Sequence, residues 1–133
     1  MIGLVIATHG HLGRELLASA QMIIGPVLNA QAIAITQEDS MEDIRDAIAA
    51  AVEAVGCDGG GVVIATDMFG GTPANVSMTF LEQGKLDVLT GVNLPMVLKF
   101  FNSQESVELE ELVSILKSYG RQSIALASEY LQR

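Results

Sequence analysis

In Met1-Ile2-Gly3-Leu4-Val5-Ile6-Ala7-Thr8-His9-Gly10 an apolar run, Met1 to Ala7, is closed by a histidine. The run is too short for an ordinary helix and lacks polar alternation. That is the mark of a strand covered on both faces. Residues 2–7 are therefore read as the first strand. His9 stands where the strand stops, and Gly10 leaves its ring uncrowded. A second run of the same kind, Val62-Val63-Ile64-Ala65-Thr66, is followed by Asp67. Shorter runs at 32–35 and 86–90 complete a set of four.

Amphipathic stretches separate these strands. Residues 12–24 place Leu12, Leu16, Leu17, Ala20, Ile23 and Ile24 on one helical face, and Gly25-Pro26 stops the helix. Ser40 opens a second helix, with Asp43 three residues on as in a capping box. It runs to 55, where Gly56 ends it. Thr72 suits an N-cap and Pro73 the first turn of a third helix, which continues to 83. Gly91-Val92-Asn93-Leu94-Pro95 turns into a helical pair, 95–102 and 106–119. A last run, 122–127, reads as a fifth strand. Strict strand–helix alternation predicts an α/β fold, a doubly wound, mainly parallel four-stranded sheet in the order 2-1-3-4, with helices on both faces. At 133 residues the chain has one core and one domain, 1–133.

Composition narrows the function. The formal net charge is -9 with 7 basic residues, which argues against nucleic acid and anionic membranes as partners. Cys57 is the one cysteine, so no internal disulfide forms and a reducing cytoplasm is expected. No run approaches the ~20 apolar residues of a membrane span, and Met1 leads straight into a strand without a signal-peptide start. In such a compartment the sequon Asn75-Val76-Ser77 carries no meaning.

In a doubly wound sheet, ligands bind beyond the carboxyl ends of the strands, where successive connections leave in opposite directions. For the order 2-1-3-4 that crevice lies between strands 1 and 3, so it receives His9 and Asp67. A carboxylate on one imidazole nitrogen fixes the tautomer and leaves the other nitrogen as a nucleophile. Gly70-Gly71-Thr72-Pro73 opens a helix beside the same crevice. Its unpaired N–H groups attract anions, and Gly70 and Gly71 let the backbone come close. No Walker loop and no Gly-x-Gly-x-x-Gly fingerprint occur. His11 reads as an exposed rim residue and Arg14 as a solvated helix position. The acidic run Glu108-Leu109-Glu110-Glu111 suits the start of a helix. Two histidines and one cysteine are a poor ligand set, so neither a metal nor a cofactor is expected.

Thr8-His9-Gly10, Asp67, Gly70-Gly71-Thr72-Pro73 with Asn75, and Gly91-Val92-Asn93-Leu94-Pro95-Met96 together resemble the mannose-type enzyme IIA of the phosphoenolpyruvate-dependent sugar phosphotransferase system. The resemblance covers essentially the whole chain. It implies a phosphotransferase with a phosphohistidine intermediate. His9 would take a phosphoryl group on Nε2 from phospho-HPr and pass it to enzyme IIB for sugar uptake. Asp67 would hold Nδ1, and the backbone N–H groups of Gly71 and Thr72 would approach the phosphate. It also implies a homodimer in which the last strand, here 122–127, crosses to the partner's sheet. Met68, Phe69, Leu94 and Met96 are the apolar residues expected to form the docking surface. The family often carries a bulky aromatic just after Thr-His-Gly, where this chain has His11. Enzyme IIB is expected on a separate chain. Alternative readings are a regulatory phosphoprotein module that reports nutrient state without transport, and a phosphocarrier subunit for dihydroxyacetone kinase. A flavin or nucleotide binder would rest on fold analogy alone.

Overall fold

Strand β1 (Gly3–His9) lies inside a four-stranded sheet, all of whose neighbours run parallel. β2 (Ala30–Ile35) pairs with one edge of β1, and β3 (Val62–Thr66) with the other. β4 (Leu86–Thr90) pairs with β3, which gives the order β2-β1-β3-β4. The computed structural model describes residues 1–131. The connections are α1 (Leu12–Ile24), α2 (Met41–Val55) and α3 (Thr72–Met78). After β4 come α4 (Leu94–Ser103), α5 (Leu109–Gln122) and the short α6 (Ala127–Leu131).

The absence of alternation in β1 and β3 follows from burial on both faces. Leu4, Ile6, Val63 and Ala65 pack with Ala20 of α1, Val97 and Phe100 of α4, and Leu112 and Leu116 of α5. Val5, Ala7, Val62 and Ile64 pack with Ile44, Ile48 and Val55 of α2 and Val76 of α3. Each fully buried Val, Leu, Ile or Phe side chain among them contributes about 1.5–3 kcal/mol. The chain leaves β1 toward the α1 face and leaves β3 toward the α2/α3 face. The connections that follow β1 and β3 thus leave in opposite directions, which makes this the switch point of the sheet.

The expected elements recur, with differences of physical origin. β1 ends two residues beyond its apolar run, because Thr8 and His9 still pair with Ala34 and Ile35. Ladder hydrogen bonds are made by the backbone, so side-chain polarity does not end them. β2 likewise begins earlier, at Ala30. α3 does not continue to 83. It stops at Met78, and the chain folds into a tight turn in which Glu82 and Leu86 exchange backbone bonds of 3.2 and 2.9 Å. Gly84 closes that turn at φ 79°.

The fifth strand expected at 122–127 is not found. α5 runs on to Gln122, the Ser123 hydroxyl donates to the Tyr119 carbonyl at 2.7 Å, and α6 begins at Ala127. No strand among the described residues pairs with this segment. A strand without a neighbour leaves its backbone groups unpaired, whereas local helical bonds satisfy them within one chain.

Ser40 begins α2 as its sequence foretold. Its hydroxyl accepts the Asp43 N–H at 3.0 Å, and the Asp43 carboxylate accepts the Ser40 N–H at 3.3 Å. Ser40→Ala removes one half of this exchange. It should lower the urea unfolding free energy by about 1 kcal/mol and leave the folded far-UV spectrum unchanged.

The histidine crevice at the carboxyl edge of the sheet

Thr66 is the last residue of β3, and Asp67 follows beside the end of β1. Asp67 Oδ2 accepts the backbone N–H of His9 at 3.1 Å and is 2.8 Å from Nδ1 of the same residue's ring. The carboxylate thus stands where another strand carbonyl would have stood. Its second oxygen accepts the Met68 N–H at 3.1 Å. An ionised carboxylate only accepts hydrogen bonds, so the pairing requires a proton on Nδ1, and in the neutral ring that leaves the lone pair on Nε2. The pair is unequally solvated: the His9 side chain is 51% exposed and that of Asp67 14%.

Partial burial alone would push the Asp67 carboxyl up. The hydrogen bonds from the His9 ring and backbone, with the charge of the ring, outweigh it and hold the group below its ordinary value. The carboxylate is therefore kept ionised, in contact with the one group it orients.

Gly71 comes closest to the free side of the ring. A Cβ placed there would lie 2.7 Å from His9 Cε1 and 3.3 Å from Nε2, so only glycine fits beside the imidazole as it stands. Gly70, at φ 88°, supplies the preceding turn. Gly71, rather than Thr72, is the N-cap of α3; Thr72 is its first residue and Pro73 its second. The helix thus begins one residue before its expected start, and a proline in the first turn sacrifices no helical bond.

A crevice of about 510 Å³ opens next to His9 on the α2 side. Ile35, Met41, Ile44 and Thr72 line it, with Thr36 and Asp39 at its mouth. Thr36 donates to Asp39 Oδ2 through its N–H at 2.8 Å and its hydroxyl at 3.2 Å, which braces this rim. Sequence reasoning passed over Thr36 and Asp39. The short hydroxyl–acid spacing of Thr36 and Asp39 was the available signal.

His9, Asp67, Gly71 and Thr72 therefore all meet at one place. Of the expected docking residues, Met68 and Phe69 are 54% and 72% exposed and Leu94 is half-buried. Met96 is not at the surface. It lies in the core, because Met96, Val97 and Phe100 share the face of α4 that packs on the sheet, and Asn93 caps that helix. Asn93 also donates to the Gly120 carbonyl at 3.0 Å, fastening the start of α4 to α5. His11 lies at the N-cap of α1 and is exposed, with Arg14 Nη1 3.5 Å from its Nδ1. Glu108, Glu110 and Glu111 open α5 as expected. Among the described residues, no three His, Cys, Asp or Glu side chains converge as a metal site, and no helix is long and apolar enough to cross a membrane.

A parallel 2-1-3-4 sheet with a carboxylate-bound imidazole at its switch point defines a doubly wound class of α/β protein. Comparison with known proteins makes the class specific. The chain belongs to the mannose-type enzyme IIA family of the sugar phosphotransferase system: the family described as "PTS system fructose IIA component" matches residues 3–117. Its members are phosphotransfer components of sugar uptake. The chain is 30% identical over 134 residues to the fructose-specific EIIA component of Bacillus subtilis, covering 100% of this chain and 91% of that protein. It is 30% identical to the sorbose-specific EIIA component of Lacticaseibacillus casei, covering 85% and 81%. Among solved structures it resembles the phosphotransferase system component EIIA of Streptococcus agalactiae, with a TM-score of 0.86, 27% identity, and 97% and 99% of the two chains covered. The mannose/sorbose IIA subunit of Enterococcus faecalis superposes with a TM-score of 0.81 at 30% identity, over 93% and 92%.

The depressed Asp67 group has a consequence for acid stability. A carboxyl whose folded pKa lies below its unfolded value stabilises the fold above the unfolded value. That stabilisation goes as the pH falls through the folded one. The urea midpoint of the wild type should therefore exceed that of Asp67→Asn at pH 7, and the gap should close below about pH 4. Parallel urea titrations of the two proteins from pH 7 to 2.5 measure this.

Proposed function

We propose that the chain is a phosphocarrier in which His9 is the acceptor. Nε2 takes a phosphoryl group from phospho-HPr and yields it to enzyme IIB, which phosphorylates the incoming sugar. One observation carries the reading: Nδ1 of His9 is held 2.8 Å from Asp67 while the ring remains half in solvent. That arrangement leaves one nitrogen nucleophilic and reachable by a protein partner. The site fits the family to which the chain belongs.

In the transfer, the Nε2 lone pair forms a bond to phosphorus as the donor's N–P bond breaks. The departing electron pair stays on the donor's ring. Positive charge grows on the His9 ring, and the Asp67 carboxylate on Nδ1–H stabilises it in both directions of transfer. Backbone N–H groups at Gly71 and Thr72 face the incoming phosphate, favoured by the start of α3. Met68 and Phe69 on the rim, and Leu94 near it, are the apolar contacts that exclude water when a partner docks. Ile124 and Leu126, both exposed, support a homodimer joined through the C-terminal segment. The chain acts as one IIA domain in the cytoplasm and meets the membrane only through the permease components. It needs no cofactor.

Incubation with phosphoenolpyruvate, enzyme I and HPr should give one acid-labile phosphoryl group per chain, mapped to His9 by mass spectrometry. His9→Ala should gain none. An unmodified wild type, or a His9→Ala protein modified as before, would falsify the reading. Gly71→Ala forces the ring aside and should slow phosphorylation about 10- to 100-fold, since a displacement of about 1 Å at a reacting centre has that effect. Its unfolding midpoint should change little, which separates misplacement from misfolding.

A further inference from the structure

We propose that Thr8 is a positioning residue for His9, acting by capping α1 from the end of β1. This rests on the reading that His9 is the phosphoryl acceptor. The N-cap of α1 is His11, and its side chain makes no capping hydrogen bond. The first turn of a helix presents backbone N–H groups with no partner inside the helix. At Gly13, the second residue of α1, that N–H is satisfied from outside: it donates to the Thr8 hydroxyl at 2.8 Å. Thr8 is fully buried, and its hydroxyl in turn lies 3.4 Å from the Gly10 carbonyl. One side chain thus ties both ends of the reversal that contains His9.

The first turn of α1 is also seated directly on β1. A Cβ at Gly13 would lie 3.0 Å from Ile6 Cγ2, 3.1 Å from the Ile6 carbonyl and 3.3 Å from the Thr8 hydroxyl. Residues 9–11 must then cross from strand to helix within a fixed short gap, with Gly10 at φ 59° making the turn. Side chains alternate along a strand. Thr8 accordingly meets α1 on one face, while His9 faces Gly71 and the crevice on the other. Thr8 cannot touch the ring. It sets where the ring's backbone sits, and the bond from that backbone to Asp67 Oδ2 depends on the setting.

The test compares wild type with Thr8→Val, Thr8→Ser and Ser40→Ala, at a temperature where circular dichroism shows all four folded. Thr8→Val keeps the shape and removes the hydroxyl. Thr8→Ser keeps the hydroxyl. Ser40→Ala loses a helix cap far along the chain and controls for stability alone. Thr8→Val should lower kcat/KM for phosphorylation by phospho-HPr about tenfold, through kcat, while Thr8→Ser and Ser40→Ala stay within about twofold of wild type. In the unphosphorylated protein, the His9 ring nitrogens should lose their fixed Nδ1–H signature by nitrogen-15 NMR in Thr8→Val alone. Should Thr8→Val not fold, Thr8→Ala takes the same readings. An unchanged ring spectrum in the hydroxyl-free variant overturns the proposal whatever the rate. So does an equal loss in Ser40→Ala. The ring spectrum needs no phosphoryl donor, so it judges Thr8 even if wild type takes up no phosphate, in which case the phosphocarrier reading fails separately.

Discussion

A single oxygen, Asp67 Oδ2, receives both the backbone N–H of His9 and the nearby Nδ1 of its ring. The two bonds fix the residue twice, once as part of the strand and once as a side chain. Both favour the ionised carboxylate, as does the Met68 N–H on the other oxygen, so the acceptor is kept in the form that holds the ring. The rest of the fold serves to bring the two residues together across 58 positions of sequence. β1 and β3 must be adjacent and parallel, and their following loops must part.

Those conditions are met by packing. Leu4 and Ile6 bury against α1, α4 and α5, while Val5 and Ala7 bury against α2 and α3, so β1 has no free face to slip into. A register shift of one residue would exchange the two sets and would turn Thr8, not His9, toward the crevice. The position of His9 is thus fixed by the same alternation that builds the two cores. Gly71 completes the arrangement from α3, because its missing side chain leaves the space that the imidazole occupies.

Much of this was legible in the amino-acid sequence. Apolar runs at 2–7 and 62–66 read as strands covered on both sides, and the alternation of strands with helices dictated a parallel sheet. His9 and Asp67 followed from the switch-point rule, since both stand at strand ends. What escaped was set by tertiary contact. Met96 read as a surface apolar residue, but it falls on the same face of α4 as Val97 and Phe100 and packs into the core. The run 122–127 read as a strand by its composition, yet within one chain it has no neighbour to pair with, and helical bonds take its start. α3 read as longer because its residues tolerate a helix, while the Glu82–Leu86 turn ended it from outside.

The central claim is that His9 presents Nε2 because Asp67 holds Nδ1. Nitrogen-15 NMR of ring-labelled protein, before and after phosphorylation by phosphoenolpyruvate, enzyme I and HPr, addresses it directly. The account predicts a proton on Nδ1 in the free protein and phosphorus coupled to Nε2 in the phosphorylated one. A proton on Nε2 before the reaction, or phosphorus on Nδ1 after it, would contradict the account.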